Sequence, residues 1–310
     1  MNFNEVAFVG TYECNANCTY CYARKYKNVY KGIELSFERF KEIALKLKAN
    51  GTKNISFIGG ESTLWKYINE AIKFAKEIGL ITNIDTNAIK RLTEIPDKVS
   101  IHTNVLFFTK NADIIRNIDF YRRNSRVTLT YNVHDIGKYD LELVKRVLSK
   151  FKLTTLLEFI YDQKPSKDIG NYYYELARYL KEEKGIRVIS AGPHPICMFS
   201  QEQFIYLKYN TFLSGMCDTP LPQGETETII NPDGETILPC GALPFTTSIS
   251  YLLDNNIPEY IKKFAPYIKN LRQTIPNICK DCNYYGKTCQ YGCMVNKMSP
   301  EDRDNGKILI

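Results

Sequence analysis

Residues 6–21 have the sequence VAFVGTYECNANCTYC, in which a short apolar run leads directly into three cysteines. The apolar run is typical of a buried β-strand, which we place over Val6–Thr11. Cys14, Cys18 and Cys21 therefore lie together on the loop after the strand. In α/β folds functional side chains collect on the loops that follow the carboxyl ends of parallel strands, so this segment predicts both the fold class and the position of the site.

Short apolar runs alternate with longer amphipathic stretches up to about residue 190, which is typical of strand and helix repeated in an α/β fold. The predicted strands are Val6–Thr11, Asn54–Ile58, Thr82–Thr86, Ser100–Phe108, Arg126–Val133, Thr154–Tyr161 and Arg187–Ser190. The predicted helices are Ser36–Asn50, Leu64–Ile78, Ala112–Arg122, Asp140–Lys150 and Asn171–Glu183. Six to seven parallel strands with outer helices predict a full or partial barrel, and Ser36 is a candidate N-cap for the first helix.

The pattern changes near Ala191 to Pro, Gly and Cys with few periodic runs. We therefore expect two domains, residues 1–190 and residues 191–310, the second small and braced by ligands. Residues 228–238 predict a β-hairpin around Pro232-Asp233-Gly234, and Ile257–Arg272 predicts a helix.

The composition and charge of the chain argue against a membrane protein, a secreted protein and a nucleic-acid-binding protein. The 310 residues are 44% hydrophobic, and no apolar run is long enough to span a bilayer. The N-terminus lacks the features of a signal peptide, so we expect a cytoplasmic protein with no membrane partner. The net charge of +7 is spread thinly along the chain and does not indicate nucleic acid.

Ten cysteines stand in two groups, and only three histidines are present. A reducing cytosol disfavours disulfides, so clustered cysteines indicate metal or cluster ligation or thiol chemistry. Three thiolates on the front loop leave one iron of a four-iron four-sulfur cluster without a cysteine ligand, and an open iron can bind a small molecule and pass it an electron. A structural zinc loop completed by a distant residue, or buried free thiols, is the alternative.

The spacing C-x3-C-x2-C, with Tyr20 before the last cysteine, resembles the radical S-adenosylmethionine (SAM) superfamily. The resemblance implies a partial (β/α)6 TIM-like barrel of the radical SAM type, with SAM bound to the open iron of a 4Fe-4S cluster held by Cys14, Cys18 and Cys21. It also implies that an electron from the cluster cleaves SAM, giving a 5′-deoxyadenosyl radical that takes a hydrogen atom from the substrate.

Gly59-Gly60-Glu61 at the end of the second predicted strand is similar to the family's GGE motif, whose backbone and carboxylate bind the SAM amino group. Glycines let the backbone approach a ligand closely. Ser62 stands where the family usually has Pro.

Weaker matches extend the implied SAM site. Thr86 and Asn87 are similar to the family's Thr-Asn-Gly strand end, with Ala88 in place of the usual Gly. Thr130 and Asn132 on a later strand are further candidates to face SAM. Taken singly, Thr86 and Asn87 are also common as turn and cap residues.

The rear cysteines form the pattern Cys279-x2-Cys282-x6-Cys289-x3-Cys293, preceded by Cys217 and by Gly234-x5-Cys240. This resembles the SPASM extension of radical SAM peptide and protein maturases, which is a small Cys-rich C-terminal domain. The sequence departs from that pattern, since several gaps are longer and no cysteine follows Cys293.

The resemblance implies one or two auxiliary 4Fe-4S clusters. Cys217, Cys240 and Cys293 would hold the first, with Cys197 as the candidate fourth ligand. The set Cys279, Cys282 and Cys289 would hold a second that lacks one thiolate. Cys197 has an alternative role as a free thiol that returns a hydrogen atom to a substrate radical, as in peptide epimerases. The structural alternative for Cys279 to Cys293 is a four-cysteine zinc site.

The resemblance implies an enzyme that modifies a ribosomally made precursor peptide by cross-linking, epimerisation or backbone excision, similar to maturases of Nif11-like peptides and splicease-type enzymes. The sequence opens directly with the first strand, so a separate leader-recognition protein is an expected partner, together with an electron donor such as flavodoxin or ferredoxin. The alternatives are a small-molecule radical SAM dehydrogenase, a sulfatase-type protein maturase, and a non-catalytic metal-binding scaffold.

Overall fold

The computed structural model describes residues 4–108, 112–133, 140–159, 165–215, 228–240, 243, 245–254, 257–283, 285–287, 289, 291, 297 and 308–309. The strands are β1 Glu5–Val9, β2 Asn54–Ile58, β3 Ile81–Thr86, β4 Lys98–His102, β5 Arg126–Val133, β6 Thr154–Phe159, β7 Val188–Ala191, β8 Thr228–Ile230, β9 Thr236–Leu238, β10 Phe245–Ser248 and β11 Ile308–Leu309. They form one sheet in the order β11-β10-β9-β8-β1-β2-β3-β4-β5-β6-β7. Neighbours from β1 to β7 are parallel, which confirms the predicted α/β class.

The helices are α1 Arg24–Val29, α2 Phe37–Ala49, α3 Ile68–Glu77, α4 Val105–Phe108, α5 Ala112–Asn124, α6 Leu141–Phe151, α7 Lys167–Arg178, α8 Gln201–Thr211, α9 Ser250–Leu253 and α10 Ile257–Gln273. The predicted N-cap of α2 is confirmed, because the Ser36 hydroxyl accepts the Arg39 N–H at 3.2 Å. In the described part of the chain, none of the helices has the length and apolar character needed to cross a membrane.

The strand predicted over Ser100–Phe108 is wrong beyond His102, where β4 ends and a short turn leads into α4. Two polar side chains explain the early end. The Thr103 hydroxyl donates to the Thr130 carbonyl at 2.9 Å, and the Asn104 amide exchanges two bonds of 2.8 Å with the Asn132 backbone. These side chains bind backbone groups of β5 and so end the regular pairing of β4 with it.

The sheet is continuous across the expected domain boundary. Strand β8 pairs in parallel with β1, with Val6 opposite Thr228, and β9 follows it as a hairpin. Arg39 on α2 pairs with Glu235 at 3.0 Å and donates to the Gly234 carbonyl at 3.2 Å. The boundary near residue 190 stays a prediction, and the described hairpin packs directly on the N-terminal half.

The two faces of the sheet differ in chemistry. One face carries the apolar core under the outer helices, where Phe8 of β1 packs on Phe40 of α2 and on Phe57 of β2. Near β8, β1 and β2, the opposite or inner face is also apolar, and Tyr12 and Tyr26 cover it.

From β3 to β6 the inner face is polar. Residues paired across neighbouring strands point to the same side of a sheet. His102 lies opposite Thr130, and Asn132 lies opposite Glu158. We call the set Asp85, His102, Thr130, Asn132 and Glu158 the polar inner face.

Candidate active site at the strand ends

The front cysteine loop, residues 11–21, follows β1 and holds three half-buried thiols. Burial raises the pKa of the Cys14 thiol to about 11, and the charges of Glu61, Cys21 and Cys18 raise it further. Burial also raises the pKa of Cys18 and of Cys21, while a hydrogen bond from the Tyr20 side chain lowers that of Cys18. The thiols are close enough to oppose one another's ionisation, and a bound cation would relieve that repulsion.

The glycine pair at the end of β2 packs directly on the front cysteine loop. Gly60 donates its N–H to the Thr11 carbonyl at 3.1 Å, and the next residue, Glu61, donates to the Glu13 carbonyl at 2.8 Å. A Cβ on Gly60 would lie 2.2 Å from the Glu13 oxygen, and Gly59 has a φ of +121°. Both positions therefore require glycine, Gly60 because backbone packs on it and Gly59 because L side chains rarely adopt its φ.

The carboxylate of Glu61 joins the ends of β2 and β3. Its side chain is 1% exposed. It accepts hydrogen bonds from the Thr63 hydroxyl at 2.7 Å, the Thr86 hydroxyl at 2.6 Å and the Asn87 N–H at 2.8 Å, with a longer one from the Thr63 N–H at 3.2 Å. The carboxylate is thus held by the protein itself, and its contact with the SAM amino group stays a prediction.

Asn87 extends this network to the cysteines. Its side-chain amide donates to the Asn15 side-chain oxygen at 2.7 Å, next to Cys14. Ala88, at the position where the family has glycine, has a φ of +57°, and its carbonyl accepts from the Asn117 amide at 2.8 Å. The structure therefore brings Gly59, Gly60, Glu61, Thr86 and Asn87 together against the front cysteine loop.

Thr130 and Asn132 are buried on β5 as part of the polar inner face. Sequence reasoning missed His102 and Glu158 beside them. The His102 Nε2 lies 3.8 Å from the Asp85 carboxylate. Burial alone would lower the pKa of His102, but the nearby Asp85 carboxylate and the charge of Glu158 outweigh it and raise that pKa to about 9.

Burial raises the pKa of Glu158, and His102 opposes that shift. A charged residue inside each of several predicted buried strands is the signal that could have found this set. Strand register is needed to place the members on one face.

Cys217 and Cys293 lie outside the described residues. Among the other rear cysteines, Cys279 and Cys289 are buried, Cys240 and Cys282 are half-buried and Cys197 is exposed. Although residue Cys197 is exposed, partial desolvation of its sulfur raises the pKa of the thiol, and the charges of Cys289 and Cys282 raise it further. Within the ranges given above, no three Cys, His, Asp or Glu side chains converge closely enough to hold one metal ion.

The sequence model of the Radical SAM superfamily matches residues 8–152. This match supports SAM and a 4Fe-4S cluster as cofactors, and the assignment of Cys14, Cys18 and Cys21 as the ligands of that cluster stays a prediction.

Two curated relatives match parts of the chain. PqqA peptide cyclase of Bradyrhizobium diazoefficiens is 28% identical over 43% of this chain and 34% of its own length. A SAM-dependent nucleotide dehydratase of Flammeovirga pacifica is 28% identical over 50% of this chain and 57% of its own length. The chain thus matches about a third of the first relative and somewhat more than half of the second.

Among solved structures, Streptococcus suis SuiB bound to precursor peptide SuiA superposes with a TM-score of 0.58 at 16% identity. The superposition covers 95% of this chain and 72% of that one. At this identity the likeness shows the fold alone.

Proposed function

We propose that this chain, whose residues 8–152 form a radical SAM domain, modifies a ribosomally made precursor peptide by radical chemistry. The observation that carries the proposal is the front site, where Cys14, Cys18 and Cys21 lie on one loop that the β2 and β3 ends hold in place. A peptide substrate is favoured by the named activity of the cyclase relative and by the peptide bound to SuiB.

The residues have separate tasks in this proposal. Cys14, Cys18 and Cys21 hold the cluster, and the backbone of Gly59 and Gly60 faces the SAM amino group, while Thr130 and Asn132 face SAM from β5. When bound, the cluster and SAM supply one-electron cleavage of SAM and a radical that takes a hydrogen atom from the substrate.

Glu61 fixes the strand ends, which keeps the front cysteine loop in one geometry before any ligand binds. The inner face beside it presents hydrogen-bonding groups instead of an apolar wall. His102 is protonated at neutral pH because its pKa is about 9, so both of its ring N–H groups are donors.

The remaining partners belong to the same proposal. One or two auxiliary 4Fe-4S clusters in residues 191–310, a separate leader-recognition protein and a flavodoxin or ferredoxin as electron donor would complete the system. The fold does not specify which bond of the peptide is changed, and the experiment below determines it.

The test is anaerobic reconstitution with iron and sulfide, reduction with dithionite, and chromatography for 5′-deoxyadenosine in the presence of SAM. Cys18→Ala is expected to reduce that product to background, and the exposed neighbour Asn17 provides the matched control Asn17→Ala, which keeps it. Candidate precursor peptides and, separately, nucleoside triphosphates are added. A peptide that gains a mass change and stimulates the product supports the proposal, and stimulation by a nucleotide alone contradicts it.

A further inference from the structure

Three rear cysteines are gathered by a tight loop after α10. Cys279 ends a short 3-10 turn, and the Cys282 N–H donates to its carbonyl at 3.2 Å. The chain then returns, because the Gly286 N–H donates to the Cys289 carbonyl at 2.9 Å and Tyr285 pairs with Cys289. Cys279 and Cys289 are buried, at 7% and 6% exposure, so their thiols lie within the fold and not on its surface.

A fourth cysteine, Cys197, is brought to this loop by two backbone bridges. Pro193 pairs with Ser214, and the next residue, Gly215, pairs with Cys289. The His194 N–H donates to the Ser214 carbonyl at 2.8 Å, which fixes the start of the segment that carries Cys197. Cys197 is far from Cys289 in sequence, and these contacts connect their backbones through residues 214 and 215.

The Cys197 side chain is aimed away from the core by its neighbours. Ile196 and Met198 are 5% and 1% exposed, whereas Cys197 between them is exposed. Gly170 of α7 packs against the Met198 carbonyl so closely that a Cβ would lie 1.8 Å from it, and Lys167 donates to the Phe199 carbonyl at 2.9 Å. The segment is therefore fixed before any ligand binds.

We propose that Cys197, Cys279, Cys282 and Cys289 ligate one four-iron four-sulfur cluster, with Cys197 as the thiolate that the other three lack. In a four-iron cluster each cysteine binds a different iron, so the four thiols need not converge on one point as the ligands of a single zinc ion do. This assignment differs from the division that the family pattern implies, which gives Cys197 to the set of Cys217, Cys240 and Cys293. It also excludes a free Cys197 that donates hydrogen atoms.

The experiment measures iron and sulfide per chain, with Mössbauer spectra, in the reconstituted full chain and its variants. Cys197→Ala and Cys279→Ala are each expected to lose up to about four irons. If two cysteines ligate the same cluster, either substitution alone already removes its iron. The double variant Cys197→Ala/Cys279→Ala is therefore expected to lose no more iron than either single variant. The double variant Cys197→Ala/Cys240→Ala is expected to lose more than Cys240→Ala alone.

The assignment would be overturned by the reverse pattern of iron loss. In that pattern Cys197→Ala adds to the loss caused by Cys279→Ala but does not add to the loss caused by Cys240→Ala. Because some variants could fail to fold, a second measurement uses the unaltered chain. Iodoacetamide should label exposed Cys197 rapidly in the apo protein and at least about tenfold more slowly after reconstitution. Equal labelling rates in the two forms mean a free thiol and contradict the proposal.

The proposal rests on iron-sulfur chemistry in the C-terminal half and not on the identity of the substrate. Formation of 5′-deoxyadenosine, measured in the same samples, reports the front site separately. If the variants show the expected pattern of iron loss but the chain forms no 5′-deoxyadenosine, the proposed function is contradicted and the cluster assignment is supported.

Discussion

The front cysteine loop and the rear cysteines are held by different kinds of contact. At the front, three thiols on one short loop are fixed by the ends of β2 and β3 through the backbone of Gly60 and the carboxylate of Glu61. At the rear, the segment that carries Cys197 meets the loop of Cys289 through bridges between residues far apart in sequence. The front site is thus built into the sheet, and the rear set depends on loops that meet at its margin.

The largest expected effect breaks the front packing. Gly60→Ala places a Cβ 2.2 Å from the Glu13 oxygen, so the two loops must separate, and we expect a loss of about 3 kcal/mol or more in the free energy of unfolding. Gly286 in the rear is the matched control, because its φ is +76° and a Cβ there meets no atom of the described residues within 4 Å. Gly286→Ala should cost about 1 kcal/mol. Urea unfolding followed by Trp65 fluorescence measures both, and equal losses would contradict the comparison.

The second prediction separates positioning from ligand binding at Glu61. Glu61→Gln keeps the shape but replaces one acceptor oxygen by a donor, so the unfolding free energy of the apo protein should fall by about 2 kcal/mol. The control Glu13→Gln removes an exposed ion pair with Lys27 at 3.1 Å and should cost less than about 1 kcal/mol. If Glu61 only contacted SAM, the apo stability of Glu61→Gln would not change.

The third prediction is that the free energy of unfolding depends on pH through His102, which lies in the N-terminal half of the chain. The folded pKa of His102 is about 9, above the value of about 6.5 expected when unfolded. The stability that it contributes is therefore complete below about pH 6.5 and lost as the pH rises to 9. About a third of the side chain is accessible to solvent, so we expect about 1–2 kcal/mol after screening.

The matched variant for this measurement is His102→Gln. The difference between wild type and variant should fall between pH 6.5 and 9, and this comparison cancels the cysteines that titrate in both proteins. Buried His194 has a pKa lowered to about 4 by its burial, so it does not titrate in that range. A difference that is constant with pH would show that Asp85 does not stabilise a charged His102.

The smallest effect compares two tyrosine hydroxyls. Tyr12 is buried and donates to the Asn231 side-chain oxygen at 2.8 Å, whereas Tyr285, at a more exposed position, donates to the Thr274 carbonyl at 2.7 Å and accepts from the Lys297 Nζ at 2.7 Å. Tyr12→Phe should cost about 1.5 kcal/mol and Tyr285→Phe about 0.5 kcal/mol, because water replaces a lost bond only at the exposed site. Thermal unfolding of the two variants gives the values, and a larger loss for Tyr285→Phe would reverse the comparison.

The difference between local contacts at the front and long-range contacts at the rear also explains which features the sequence could predict. The front cysteines, the glycine pair and the Ser36 cap are local patterns, so their spacing is enough to place them on loops and helix ends. The strand end at His102 was missed because side chains of Thr103 and Asn104 bind a strand that follows them in sequence.

The polar inner face and the position of Cys197 depend on contacts between distant segments. His102 and Glu158 come to one face only when the register of β4, β5 and β6 is known. The family pattern assigns Cys197 to another set of cysteines, whereas the bridges through residues 214 and 215 place it near Cys289.

The pairing of β1 with β8 has a consequence for how the protein is made. The front cysteine loop follows β1, but β1 gains its second neighbour only from residues 228–230. Tyr12 and Tyr26, beside that loop, bond to residues 219 and 217 positions later in the chain. During synthesis the front loop and the β2 and β3 ends that hold it therefore leave the ribosome long before their contacts with the hairpin segment can form. Cluster insertion at the front site is expected to follow translation of the hairpin, and a nascent chain that stops before residue 228 should not retain a stable cluster.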